Sequence, residues 1–135
     1  MLSENLQIFR DTYELCAQMY KAMPDVPKHA RYGEYGRAVS MSLEALDQIY
    51  VANSDREQRP AALTRYLQLI GGVRSRVRLF KELKVLSARQ TVNMPRYVQD
   101  GRAALHRLRK KMWRSLGSYE HLNLINNKKL KIVGL

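Results

Sequence analysis

Acidic residues nearly vanish from the last 75 positions of this 135-residue chain. Only Glu82, Asp100 and Glu120 stand there against 17 lysines and arginines, whereas the first 60 residues carry 9 acids and 7 bases. The formal charge of +12 is therefore segregated, about −2 through Pro60 and about +14 beyond it. One part of the molecule must project a strong positive field while the rest behaves as an ordinary surface. Cysteine is also scarce. The lone Cys16 excludes an internal disulfide and points to a reducing compartment, which we expect to be the cytoplasm. No run approaches the roughly 20 apolar residues of a membrane span. Glu4 and Asp11, with no apolar stretch beside them, argue against a signal peptide. Glycine and proline are few, 7 and 4, and the prolines with Gly117 fall at segment boundaries, which favours long helices over a sheet. Aromatics are few as well: 8 Tyr, 2 Phe and 1 Trp, most of them on apolar rows.

The apolar residues that remain repeat with helical spacing, and the pattern predicts an all-α, up-down-up-down four-helix bundle over 1–117. The first stretch, about Ser3 to Met23, places Leu2, Leu6, Phe9, Tyr13, Cys16, Tyr20 and Met23 on one heptad seam. Pro24 and Pro27 then break it. The second, about Lys28 to Asn53, carries Tyr32, Tyr35, Val39, Leu43, Leu46, Ile49 and Tyr50. A polar hinge over 53–60 leads to the third, from Pro60 to about Gln90, with Leu63, Tyr66, Leu67, Ile70, Val73, Val77, Phe80, Leu83 and Leu86. Gly71-Gly72 inside it reads as a close helix contact or a kink. The fourth, from Pro95 to about Leu116, carries Val98, Gly101, Leu105, Leu108, Met112 and Leu116, and Gly117 suits a helix end. The tail, 118–135, alternates charge and apolar residues over Lys128 to Val133, so it is either disordered or a strand added to a partner.

The cations fall off the apolar rows. On the third helix Arg74, Arg78, Lys81 and Lys84 form a band, with Arg76 on another exposed flank. On the fourth, Arg102, Arg109 and Lys110 form one band near His106 and Trp113, and Arg107, Lys111 and Arg114 form another. Like charges at i,i+4, such as Arg74/Arg78, repel by a few tenths of a kcal/mol each. A merely solvated face mixes both signs. The pattern points to a polyanion, read through backbone and shape, with arginine favoured for bidentate phosphate contact. An acidic protein is the alternative partner. A membrane fits poorly, because the rows are not Trp/Phe/Leu-rich toward lipid.

Signs of catalysis are weak. His29, His106 and His121 are scattered, with no cysteines or carboxylates at metal spacing, and no Glu-x-x-His motif accompanies Glu44 and Asp47. Cys16 on the seam reads as a buried small residue. Arg114 and His121 form an Arg-x6-His pair like that of HEPN-class ribonucleases, but Gly117 interrupts the helix that should hold it. We expect no enzyme, no cofactor and no metal.

The run Val26-Pro27-Lys28-His29-Ala30-Arg31-Tyr32-Gly33-Glu34-Tyr35-Gly36-Arg37-Ala38-Val39 resembles the Pro-Lys-x-x-Arg-Tyr-Gly entry to helix two in one family of four-helix bundles. These proteins are related to those encoded in bacterial 23S rRNA intervening sequences, and they include the accessory variability determinant proteins of diversity-generating retroelements. The run Arg74 to Lys84, Arg-x3-Arg-Leu-Phe-Lys-Glu-Leu-Lys, is similar to that second branch. Ile49 to Ser54 lacks the Asn-Ile-x-Glu-Gly ending of the intervening-sequence branch. The resemblance covers roughly residues 5–117. It implies a ring-like homopentamer that is not itself catalytic and that binds a reverse transcriptase and its template RNA, supporting cDNA synthesis that is error-prone at adenines. The residues expected to touch RNA or polymerase are Arg74, Arg78, Lys81, Lys84, Arg102, Arg109, Lys110 and Arg114.

Overall fold

The computed structural model describes residues 3–99, 102–112 and 114. Every regular element among them is helical, as the periodicity predicts. Helix α1 spans Ser3–Ala22, α2 Lys28–Arg31, α3 Glu34–Ser54, α4 Arg59–Glu82, α5 Ala88–Thr91 and α6 Arg96–Gln99. Residues 102–112 are helical again. The tail, 118–135, lies outside the described residues, as do Trp113, Gly117 and His121.

Helices α3 and α4 form the central antiparallel pair. Three rungs fix their direction: Arg59 Nε donates to Ala52 O at 2.7 Å, Arg65 pairs with Glu44 at 3.2 Å, and Arg76 lies 3.5 Å from Glu34. Helix α1 packs on α3, and α6 packs on α4. Ala104, Leu108 and Met112 of 102–112 are buried in the same core.

Two long helices of the sequence reading are interrupted. The second breaks at Tyr32–Gly33, between α2 and α3. Val26 is extended before Pro27, as a pre-proline residue must be. Arg31 folds back over this corner and donates from Nη2 to Pro24 O (2.9 Å) and Val26 O (3.0 Å). Glycine suits position 36, because a Cβ there would sit 3.0 Å from the Arg31 carbonyl oxygen, a tight contact. Tyr35 then donates to Met19 O at 2.5 Å and ties the start of α3 to the end of α1. The Arg-Tyr-Gly-Glu-Tyr-Gly run is thus a corner built by hydrogen bonding and close approach.

The third helix ends at Glu82, not near Gln90. Phe80 O accepts from Val85 N (2.8 Å) and Leu86 N (3.1 Å), and Lys84 takes a left-handed conformation with φ 60. Glycine usually occupies such a position; a lysine gives the reader no signal. Ser87 then opens α5 with a capping box to Gln90, a Ser-x-x-Gln pattern that the sequence does carry. The hinge is as expected: Asp55 Oδ1 accepts from the backbone of Glu57 and Gln58.

The seam on α1 is also corrected. The row facing the core is Ile8, Thr12, Leu15, Met19 and Ala22, with Cys16 beside it. Tyr13 and Tyr20 of the expected seam are exposed, and Phe9 is half-buried. Two apolar rows lie about 100° apart on this helix, and both repeat every 3–4 residues. Packing selected the aliphatic row, because a tyrosine can keep its hydroxyl in water. Tyr32, Leu43 and Tyr50 of the second stretch and Leu83 of the third are exposed as well, because the expected stripes were wider than the contact.

Candidate nucleic-acid interface

Helix α4 supplies one wall of a cationic surface and 102–112 supplies the other. Val73, Val77 and Phe80 anchor α4 in the core, which turns Arg74, Arg78 and Lys81 outward at i,i+4 and i,i+3 spacing. Leu108 and Met112 anchor the opposite wall and leave Arg102, His106 and Arg109 on its outer side.

Three clefts follow this surface. The largest, about 660 Å³, lies between the walls, with Gly71, Arg74 and Ser75 on one side and Arg102, Ala103, Leu105, His106 and Arg109 on the other. A second, about 420 Å³, uses Arg74 again with Arg78, Lys81, Glu82, Val98 and Gln99. A third, about 440 Å³, sits past the end of α4, where Lys81 and Lys84 meet Asp25 and the Ser87 turn.

Of the eight cations expected at the interface, six line these clefts: Arg74, Arg78, Lys81, Lys84, Arg102 and Arg109. Arg74 borders two of them. Lys110 and Arg114 are exposed on the outer helix but line none of the three. Arg78 lies 3.4 Å from Glu82, a largely exposed i,i+4 pair of the kind worth at most about 1 kcal/mol. That pair does little to hold Arg78 against a competing phosphate.

Arg76 does not belong to this surface. Its side chain is about a quarter exposed, donates to Gly72 O at 3.2 Å and stands 3.5 Å from Glu34. Its Nε has no well-directed hydrogen bond, so the Glu34 contact is electrostatic only. The sequence placed Arg76 on an exposed flank; instead it bridges α4 to α3. His106, Ser75 and the apolar floor of the large cleft were not among the expected contacts. His106 was legible from its i,i+3 and i,i+4 spacing to Arg109 and Arg102. The floor was not, since it forms only where two helices meet.

Few groups near this surface have altered chemistry. Burial raises the Cys16 thiol to about 11, with Asp47 adding to the effect, so this thiol is not a ready nucleophile. Burial raises the phenols of Tyr35 and Tyr97 to about 12 and raises that of Tyr66 well above its ordinary value. These groups are buried and line none of the three clefts. Among the described residues no group of three or more His, Cys, Asp or Glu could hold a metal ion. Among the described residues no helix is long and apolar enough to cross a membrane. The arrangement can bind: it offers rigidly spaced guanidiniums on two helices, set over an apolar floor.

No family model matches this chain, and comparison with curated proteins and with solved structures gives no match.

Proposed function

We propose that this chain is a non-catalytic nucleic-acid-binding accessory protein. In this reading it binds a reverse transcriptase and its template RNA and supports mutagenic cDNA synthesis in a diversity-generating retroelement. The protomer is an up-down-up-down four-helix bundle that assembles into a ring of five. The observation that carries the RNA-binding part is the convergence of Arg74, Arg102 and Arg109 with His106 on one cleft between two helices. Guanidiniums held at fixed spacing by anchored helices match successive phosphates of a strand, which flexible surface lysines do not. The polymerase partner, the ring and the mutagenic role rest on the resemblance of the Val26–Val39 and Arg74–Lys84 runs.

Filter binding tests the reading. Reversing Arg74, Arg78 and Arg109 to Glu should abolish most RNA affinity while leaving the helical circular dichroism signal intact. Each lost phosphate contact should lower the slope of log K against log salt by roughly 0.7–0.9. Unchanged affinity would falsify the RNA reading and leave an acidic protein as the partner. Light scattering tests the ring: five copies of the 15.7 kDa chain give about 78 kDa.

A further inference from the structure

We infer that the large cleft between α4 and 102–112 holds one unpaired nucleotide of single-stranded RNA, its base on the apolar floor and its flanking phosphates on the arginine rim. This inference deepens the RNA-binding reading above and rests on it.

The first support is a glycine with no packing duty. A Cβ on Gly72 would lie 2.5 Å from Met41 Cε, so that glycine lets α3 and α4 approach. A Cβ on Gly71 would meet only Leu105 Cδ2, at 4.0 Å, an ordinary contact. Glycine inside a helix is destabilising relative to alanine, so something other than packing accounts for Gly71. Gly71 and Leu105 form the less exposed part of the cleft lining, and Ala103 lines it from an exposed position on the other helix. A larger side chain at 71 or 103 would fill the space.

The second support is the chemistry of the lining. The floor is apolar and opened by small residues, while the rim carries Arg74, Arg102 and Arg109. The Ser75 hydroxyl donates back to Gly71 O on its own helix at 3.1 Å. An apolar floor does nothing for phosphate, but it suits the face of a base, and a guanidinium plane can stack on that base from the side. A cavity of about 660 Å³ is within the range that encloses small organic ligands. A duplex keeps its bases stacked and presents only its backbone, so it reaches the rim but not the floor.

Fluorescence anisotropy with two probes tests this: an unstructured twelve-nucleotide RNA and a blunt RNA duplex of the same length. The proteins are wild type, Gly71→Met and Ala103→Met. Both methionine variants fill the cleft from opposite helices, so one serves if the other perturbs folding. Each should bind the single strand roughly tenfold more weakly, the scale of one lost stacked base, with duplex affinity changed by no more than about twofold. Equal losses on both probes, or no loss on either, would overturn the inference while leaving RNA binding in place. Displacement of the strand by adenosine monophosphate at equal nucleotide concentration would assign the cleft to a free nucleotide and overturn it too. A wild-type protein that binds neither probe removes the RNA-binding reading itself.

Discussion

The hydroxyl of Tyr66, fully buried on α4, lies 2.7 Å from Thr12 Oγ1 on α1. The same hydroxyl is 3.2 Å from Tyr97 OH on α6, and Thr12 donates onward to Ile8 O at 2.7 Å. Three helices that would otherwise meet only through apolar contact are thereby locked in register around one polar chain. Such chains are stable only when every member is satisfied.

Tyr66→Phe breaks this chain in the middle and leaves two buried hydroxyls short of a partner. The loss should be about 1–3 kcal/mol, read from urea denaturation. RNA affinity should not change, because Tyr66 is fully buried and lines none of the three clefts. A variant as stable as wild type would show that the chain contributes nothing.

Arg31→Ala removes the two hydrogen bonds that close the corner between α1 and α3. Bonds from a charged donor are worth about 1.5–3 kcal/mol when partly buried. The expected result is a loss of that size in stability, with hydrogen exchange at 24–34 accelerated before the α4 core opens. If Arg31 instead served RNA, affinity would fall and stability would hold.

The paired glycines should respond in different ways. Gly71→Ala should raise stability by about 0.5–1 kcal/mol, the helix-propensity difference, with no neighbour to move. Gly72→Ala should gain less or lose, since Met41 must shift to admit the new methyl. Equal gains at both positions would contradict the close approach of α3 and α4 at Gly72.

Alkaline pH should destabilise the fold in order of the raised groups. Cys16 holds its proton to about 11 when folded, against a reference value of 9.0, so between these values the unfolded chain has lost a proton that the folded chain retains. Folded stability is then present in full below pH 9 and declines as pH rises toward 11. Tyr35 and Tyr97, raised from 10.0 to about 12, extend the decline above pH 10. Denaturation series at successive pH values should show this, and Cys16→Ala should flatten the segment between pH 9 and 10. A flat profile for wild type up to pH 11 would overturn the assignment.

The fold class was legible because helical periodicity is local: rows at i, i+3 and i+4 over Leu63 to Phe80 need no tertiary knowledge. Break points were legible only where the breaker was proline or a polar hinge. The stop at Lys84 was not, because the hydrogen bonds to Phe80 O stabilise a left-handed lysine that no propensity predicts. At the candidate site the cations were readable by type and spacing, and six of eight fall in clefts. Arg76 was misplaced because its partner, Glu34, comes from a helix far away in sequence.

Composition and spacing alone settled two matters: that the described chain is helical, and that its positive charge gathers beyond Pro60. Both are sums over neighbours in the chain, so no fold is needed to read them. Which of two apolar rows on α1 turns inward, which arginine becomes a strut, and whether a glycine opens a floor or closes a contact were decided by tertiary packing. The physical reason is that burial depends on what a distant helix presents, and a side chain's own identity does not specify its neighbour.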